Sequence, residues 1–299
     1  MITEEPRAEV PTRTLVEGLV RADGTVDAGE LYDVAGALGM SDQQVRLCIK
    51  RMAAEGLLVQ EGRGRRAVLR ESTEARRSAE PEVDFVRHMY AQDAGLAPWD
   101  GRWRLAAFAV PEPARQARDA LREALVRLGG AAVQGGVYVC ANNWEPYVEA
   151  EADRLGLRDR LTLLTTDDLR IAGESDPITL ARRLWPLDEL AHGHRRLAGI
   201  ADARCARLAG PSVPDRTERL AVTVELAAEF TRAVAADPLL PPELLPEPWP
   251  GAQARALVAE CWRLLLRAER DDPAPGPRLF HRYEQALREI TGEVGGAGV

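Results

Sequence analysis

Apolar residues recur at helical spacing in three successive segments near the start of the chain. These positions are Leu15, Val16, Leu19 and Val20, then Leu31, Val34, Ala35 and Leu38, then Val45, Cys48, Ile49 and Met52. Residues three or four apart lie on one face of a helix, so each segment predicts a helix with one buried face. Gly39 and Met40 predict a tight turn between the second and third helices.

The third helix begins with a capping box and carries a polar face. Ser41 and Gln44 have the S-x-x-Q spacing, in which each side chain accepts a hydrogen bond from the backbone of the other residue. The polar face of this helix carries Gln43, Arg46, Lys50 and Arg51. We expect Arg46 to lie one turn into the helix, on the face opposite the apolar residues.

A hairpin pattern follows the third helix. Gly56 ends the helix, Leu57 to Val59 predicts a strand, and Ala67 to Leu69 predicts its antiparallel partner. The connection between them carries Arg63, Arg65 and Arg66. This pattern predicts a two-stranded ribbon with three arginines at its tip.

Three helices and a basic hairpin within about seventy residues are typical of a winged helix-turn-helix that binds DNA. We assign residues 1–72 to this domain. The DNA contacts expected from the assignment are Ser41, Gln43, Gln44, Arg46, Lys50, Arg51, Arg63, Arg65 and Arg66. Residues 1–40 hold three arginines against eight acidic residues, a net charge of −5, whereas residues 41–70 hold seven basic against three acidic residues, a net charge of +4. The alternative is a winged helix that serves only in protein contacts, with solvated arginines.

The next two segments predict a helical connector, residues 73–98, and a ferredoxin-like domain, residues 99–173. The connector includes a short helix from Val83 to Tyr90. The domain is expected to begin with a strand from Trp103 to Val110 and a helix from Pro113 to Leu128. Strands at Ala131 to Gln134 and Val137 to Ala141 follow. A helix capped by Asn143 then ends at Leu155, and the last strand runs from Leu161 to Thr165. This β-α-β-β-α-β order predicts a split unit with one four-stranded sheet.

From residue 174 to residue 299 the pattern predicts a helical C-terminal domain for self-association or effector binding. The expected helices lie around Leu180 to Leu187, then Leu190 to Leu208, Thr217 to Ala236, Ala252 to Ala268 and Leu279 to Ile290. Asp237 to Gly251 contains six prolines and several leucines, which predicts a rigid, packed loop. Gly295 to Val299 predicts a disordered tail. The fold class is therefore multidomain α+β.

Composition narrows the classes of function. The formal net charge of −8 argues against indiscriminate coating of nucleic acid, whereas a local basic surface on an acidic body suits a specific repressor. The four cysteines, Cys48, Cys140, Cys205 and Cys261, form no C-x-x-C pair, so we expect reduced, mostly packed thiols. No run of 18 apolar residues occurs and the N-terminus is acidic, so we expect a cytoplasmic protein.

Several motifs together resemble the PaaX-type repressors of aerobic phenylacetate degradation. These are VRLCIKRMAAEGLL followed by GRGRR, the segment WDGRW, and DPLLPPELLPEPWPG, in this order. The resemblance covers nearly the whole chain. It implies a homodimeric repressor with a winged helix, a central domain similar to small CRISPR-associated ferredoxin-like nucleases, and a helical C-terminal domain. Its best-known members release DNA when they bind phenylacetyl-coenzyme A. We therefore expect binding to an inverted-repeat operator, and release by an aryl- or acyl-coenzyme A thioester.

The main alternative is a metal-dependent nuclease of the ferredoxin-like class, which needs a carboxylate at the end of the first strand. That strand ends in Phe108-Ala109-Val110-Pro111, which offers no ligand. The acidic pair Asp167-Asp168 also fits an acidic helix start. The chain has only four histidines, so we expect surface or hydrogen-bonding roles for His192 and His194. We therefore expect no catalytic residue, metal or cofactor; a third possibility is regulation by a partner protein instead of a ligand.

An effector site is the least specified part of the sequence. Coenzyme A thioesters carry phosphates and an adenine, which arginines and aromatic rings bind. The candidate residues are Arg182, Arg183, Trp185, His194, Arg195 and Trp249. Trp249 and Trp262 are candidates for lining an apolar acyl slot, although each tryptophan also fits a place in the core.

Overall fold

The computed structural model describes residues 8–73, 76, 83–280 and 284. The chain is α+β, with a small sheet near its N-terminus, a second sheet in its central region and a helical C-terminal region. The helices are α1 Thr12–Gly18, α2 Ala28–Ala37, α3 Asp42–Ala54, α4 Val83–Asp93, α5 Arg115–Arg127, α6 Glu145–Arg154, α7 Pro177–Leu184, α8 Leu187–Leu208, α9 Arg216–Ala235 and α10 Pro250–Arg270. The strands are β1 Thr25–Asp27, β2 Leu58–Glu61, β3 Val68–Glu71, β4 Trp103–Phe108, β5 Ala131–Gln134, β6 Val137–Cys140 and β7 Leu161–Thr166.

These elements form two compact units that do not follow the chain as simple consecutive segments. Unit 1 contains residues 1–87, 194–232 and 251–299. Unit 2 contains residues 88–193 and 233–250. The N-terminal elements therefore share a unit with parts of the C-terminal helices.

The core of the N-terminal part of unit 1 is built from the predicted helical faces. Leu15, Leu31 and Val45, from three different helices, are fully buried. Ile49 and Met52 of α3 are buried beside them. Burial of such side chains contributes about 1.5–3 kcal/mol each, which is enough to fix the orientation of three short helices.

The N-terminal sheet has three strands, in the order β1-β3-β2. The sequence predicted only the two-stranded ribbon β2-β3, and β1 is an addition: Thr25 to Asp27 pairs antiparallel with Val68 to Arg70. Three residues are too few to show strand periodicity, so the pattern missed them. The Asp27 carboxylate accepts a hydrogen bond from the Glu30 backbone N–H at 2.8 Å, so β1 leads directly into a capped α2.

Buried ion pairs join this N-terminal part to C-terminal residues of the same unit. Arg278 donates two hydrogen bonds to the Glu71 carboxylate at 2.5 and 2.7 Å, and both side chains are mostly buried. The Arg278 backbone N–H also donates to the Val20 carbonyl at 2.8 Å. Arg216, at the start of α9, donates to Glu30 of α2 at 2.7 Å. The C-terminal segment is therefore part of the structure that supports the N-terminal helices and hairpin.

The sheet of unit 2 has the order β5-β6-β4-β7, with every neighbouring pair antiparallel. One face packs against α5 and α6, through Leu121, Leu125 and Val148. The opposite face packs against α7, the start of α8 and the proline-rich segment. Its buried residues include Trp103, Val139, Leu180, Trp185, Leu187, Leu240 and Leu244. Both faces of the sheet are therefore covered by packed side chains.

Several predicted boundaries in unit 2 shift for local reasons. The first strand ends at Phe108, not Val110, and a 3-10 turn at Glu112–Ala114 delays α5 until Arg115. Helix α6 has Trp144 at its N-cap with no capping side chain, so the prediction that Asn143 caps it is wrong. The proline-rich segment packs as predicted, with Leu239, Leu240 and Leu244 buried. Beyond Phe280 only Glu284 is described, so most of the predicted helix Leu279 to Ile290 and the predicted disordered tail lie outside the described residues.

Cys205 and Cys261 form a disulfide bond, which corrects the expectation of four reduced thiols. The two residues are 56 positions apart in the sequence, on α8 and α10, so their pairing depends on helix packing that linear spacing does not reveal. Cys48 and Cys140 are free. Among the residues described here, no helix is long and apolar enough to cross a membrane.

The two free cysteines are expected to react very differently with alkylating reagents. Burial raises the pKa of the Cys140 thiol to about 12, so at neutral pH it stays protonated and shielded. Cys48 is only half-buried. In the native protein, iodoacetamide should modify Cys48 and spare Cys140, as measured by peptide mass spectrometry. Labelling of Cys140 at the rate seen in denaturant would contradict its burial.

Candidate nucleic-acid interface

Helix α3 begins with the capping box that the sequence predicted. The Gln44 backbone N–H donates to Ser41 Oγ at 3.3 Å, and the Ser41 backbone N–H donates to Gln44 Oε1 at 2.8 Å. Both side chains are therefore used locally to fix where the helix begins. Their contribution to an interface is mainly to hold the first turn in place.

The solvent-facing side of α3 carries four of the predicted contact residues. Gln43, Arg46, Lys50 and Arg51 are exposed, whereas Val45, Ile49 and Met52 are buried beneath them. Arg46 is 69% exposed, and its 3.7 Å ion pair with Asp42 is solvent-accessible. An exposed pair of this kind contributes at most about 1 kcal/mol, so the guanidinium can exchange this partner for another anion.

A groove of about 560 Å³ separates α3 from the hairpin. Arg46 and Lys50 line one side, and Gln60, Gly64 and Arg65 line the other. Arg46 therefore lies on the side of α3 that faces the hairpin, and not directly opposite the buried face as expected. The groove brings the helix and hairpin cations together on one surface.

Two glycines shape the tip of the hairpin. Gly62 has φ of 89° and Gly64 has φ of 61°, a left-handed conformation that other residues rarely adopt. A 3-10 turn at Gly64–Arg66 follows and leads into β3. These glycines allow the chain to reverse within a few residues and to display the arginines between the strands.

Arg65 packs against α2, which distinguishes it from the other two arginines of the tip. Its guanidinium forms an ion pair with Asp33 and lies 5.5 Å from the centre of the Tyr32 ring. It also donates to the Gly29 carbonyl at 3.4 Å. Arg63 and Arg66 are exposed, and within the described part of the chain neither forms an ion pair. Sequence reasoning missed Tyr32 and Asp33 because their role depends on the fold of the hairpin onto α2.

The predicted effector residues are divided between the two units. Arg182, Arg183, Trp185 and Trp249 belong to unit 2, whereas His194 and Arg195 belong to unit 1. Trp185 is buried, stacks on Trp103 and donates from Nε1 to the Gly129 carbonyl at 3.1 Å. Trp249 is partly buried against the same core, and His194 is completely buried. Arg182, Arg183 and Arg195 are exposed.

The residues considered for metal binding lie in ordinary structural environments. Asp168 follows β7 in a loop, not at a helix start, and pairs with Arg170 at 2.9 and 3.1 Å. Hydrogen bonding by Arg170 lowers the pKa of the Asp168 carboxyl. His192 is exposed and His194 is completely buried, so of the two roles expected, surface or hydrogen-bonding, the surface role does not apply to His194. Over the described ranges, no group of three or more potential ligands is placed to hold a metal ion. Trp262 is fully buried in unit 1, with its ring edge against Phe280.

Together, the capped helix with its exposed cations and the basic hairpin give this α+β protein a candidate nucleic-acid interface. Residues 11–75 match the PaaX-like protein family, residues 96–178 match the PaaX protein central Cas2-like domain, and residues 185–271 match the PaaX-like protein C-terminal domain. The chain belongs to the PaaX family, which supports a role as a PaaX-like regulator.

A solved structure is also similar to this chain. It is an uncharacterized protein, Rv0674, from Mycobacterium tuberculosis, with 22% sequence identity and a TM-score of 0.48. The similarity covers 92% of this chain and 95% of that chain. Among curated proteins, none matches this chain.

Proposed function

We propose that this protein is a DNA-binding transcriptional repressor whose N-terminal part is a winged helix-turn-helix. The observation that carries the proposal is the groove surface, where Arg46 and Lys50 of α3 face the basic hairpin. A helix of this kind fits the major groove, and a hairpin beside it reaches phosphates or the minor groove. The exposed cations of α3 then contact base edges, while Arg63 and Arg66 contact the phosphates of the DNA backbone.

In the proposed repressor, the central region is a ferredoxin-like domain with a structural role. Numbered within that domain, the observed order β5-β6-β4-β7 is 2-3-1-4, which is the order of a split β-α-β-β-α-β unit. The first strand ends at Phe108 and supplies no carboxylate. We propose that residues 1–72 form the DNA-binding domain, residues 73–98 the connector, residues 99–173 the central domain and residues 174–299 the helical C-terminal domain.

The proposed repressor acts as a homodimer on an inverted repeat. One recognition helix reads only a few base pairs, which gives too little specificity against a genome. Two copies related by a two-fold axis place their helices in successive major grooves, with half-sites about one or two helical turns apart. Light scattering on the free protein and on its DNA complex measures this stoichiometry.

The hairpin arginines are expected to contribute unequally to the salt dependence of DNA binding. Each phosphate contact changes the slope of log affinity against log salt by about 0.9. Replacing Arg63 and Arg66 by alanine removes two contacts in each protomer, four in the proposed dimer, and should therefore reduce the slope by about 3.6. Adding Arg65→Ala should change it less, because Arg65 is paired with Asp33. Fluorescence anisotropy over a salt series measures the slope, and an unchanged slope in the double variant would exclude the hairpin from the interface.

An aryl- or acyl-coenzyme A thioester is the proposed effector, on the strength of family membership and exposed arginines. An effector releases DNA only if it binds the non-binding conformation more tightly. We expect a thioester, but not its free acid, to weaken operator binding in a gel-shift series. Replacing Arg182 and Arg183 by alanine should blunt this response and leave DNA affinity intact. If calorimetry detects no binding of any thioester, this ligand class is wrong.

A further inference from the structure

An uncharged strand forms one edge of the unit 2 sheet. Among the strands of the described residues, β7 pairs only with β4, so its second side carries backbone groups that none of these strands covers. Its sequence, LTLLTT, contains no charge, proline or glycine. Proteins usually protect such an edge with charges, proline or bulges, because it offers a template for another strand. The opposite edge, β5, has only four residues and an irregular register between Ala132 and Gln134.

The apolar side chains of β7 fall on two faces with different exposure. Leu161 and Leu163 pack against the core beneath α5 and α6. Leu164 points to the other face, beside its register partner Leu105, and remains 54% exposed. An exposed leucine at the middle of an uncharged edge is the type of position that a second strand covers.

The residues that flank β7 carry opposite charges at its two ends, so antiparallel pairing of two copies of β7 brings opposite charges together. Arg160 directly precedes the strand, and Asp167 and Asp168 directly follow it. When two copies of one strand pair about a two-fold axis, the beginning of each faces the end of the other. Arg160 of one copy thus approaches the acidic end of its neighbour. Arg160 now pairs with Asp159, and Asp168 with Arg170. All four side chains are between 49% and 73% exposed, so both contacts are easily exchanged.

We propose that β7 pairs with β7 of a second copy of this chain, in a register centred on Leu164. This register sets Leu164 opposite Leu164, Thr162 opposite Thr166, and Arg160 opposite Asp168. A register centred on Leu163 instead sets Asp159 against Asp167, and like charges across a strand pair are destabilising. The inference deepens the proposed function, because it rests on the homodimer and assigns its contact surface.

A cysteine cross-link tests the register directly in the full-length chain. In a Cys48→Ser background, Leu164→Cys places two thiols opposite each other, and mild oxidation should give a covalent dimer on a non-reducing gel. Thr162→Cys is the matched control on the same exposed face. Its two thiols lie about 13 Å apart in this register, too far for a disulfide. Equal cross-linking of the two variants, or none, would overturn the register.

Charge reversal provides a second measurement that does not depend on cysteine chemistry. Arg160→Glu should weaken self-association about tenfold, because two symmetric contacts become repulsive. Arg160→Glu combined with Asp168→Arg should restore the wild-type value, as measured by analytical ultracentrifugation. A double variant no tighter than the single one would overturn the pairing.

The wild-type protein separates failure of this inference from failure of the proposed homodimer. A wild-type dimer that does not cross-link through Leu164→Cys would show that self-association uses another surface, and only the β7 pairing would fall. A wild-type chain that is monomeric both free and on DNA would overturn the pairing together with the proposed dimer. The β7 edge would then remain for a strand of a different protein.

Discussion

Replacing Gln43, Arg46 and Lys50 together by alanine is expected to reduce operator affinity to the level of non-specific binding. All three side chains are exposed on α3, and two of them line the groove beside the hairpin. The binding free energy of a specific protein–DNA complex is more favourable than that of a non-specific one by at least about 4 kcal/mol, and we expect the triple variant to lose this difference. Arg46→Ala alone should cost about 1–3 kcal/mol in each half-site and relax the preference at one base pair of each half-site.

The triple substitution is expected to leave the fold intact. Alanine favours helix, and the capping box and the buried residues Val45, Ile49 and Met52 are unchanged. An operator sequence is first selected from random duplexes with the wild-type protein. Anisotropy titrations then compare that operator with an unrelated duplex of equal length.

A control with the same loss of charge is available in unit 2. Arg115 and Arg154 are 68% and 62% exposed, close to the 69% of Arg46. Replacing both by alanine removes two positive charges, as does the loss of Arg46 and Lys50, and should change operator affinity little. If the α3 variant loses equal affinity for operator and random duplex, α3 makes only phosphate contacts and does not read sequence.

The exposed polar face of α3 and the turn of the hairpin could be predicted from sequence because they depend on local rules. Apolar spacing fixed which side of α3 is buried, and Ser41 with Gln44 fixed where it begins. The glycines at 62 and 64 marked the turn of the hairpin. Each of these signals needs only neighbouring residues, so one sequence is sufficient.

Other features depend on contacts between distant residues and were not predictable. Strand β1 is recognised only by its pairing with β3, and the role of Arg65 depends on Tyr32 and Asp33, more than thirty residues away. The sequence predicts one ligand site that includes Arg182, Arg183 and Trp185. In the structure its arginines are exposed while Trp185 is buried, because a helix and the residue after it present different sides.

The burial of an ion pair decides how much it contributes to stability, and two pairs in this protein show the contrast. Arg278–Glu71 and Arg170–Asp168 are both two-point contacts, with distances of 2.5 and 2.7 Å in the first and 2.9 and 3.1 Å in the second. The first pair is 14% and 6% exposed, whereas the second is 69% and 61% exposed. Burial, not geometry, is therefore the main difference between them.

Arg278→Ala is expected to lower the free energy of unfolding by about 3–5 kcal/mol, because it leaves the buried Glu71 carboxylate without its partner. Glu71 ends β3, so the loss acts on the strand that supports the hairpin. Arg170→Ala, the exposed counterpart, should cost no more than about 1 kcal/mol. Urea denaturation followed by circular dichroism compares the two variants.

A double variant tests whether the loss comes from the unpaired carboxylate. Arg278→Met with Glu71→Leu replaces the pair by apolar side chains, and a buried ion pair exchanged in this way is often neutral for stability. The double variant should therefore be more stable than Arg278→Ala. Equal destabilisation by Arg278→Ala and Arg170→Ala would show that the Arg278 contact is solvated in solution. The C-terminal segment would then not hold the hairpin through this pair.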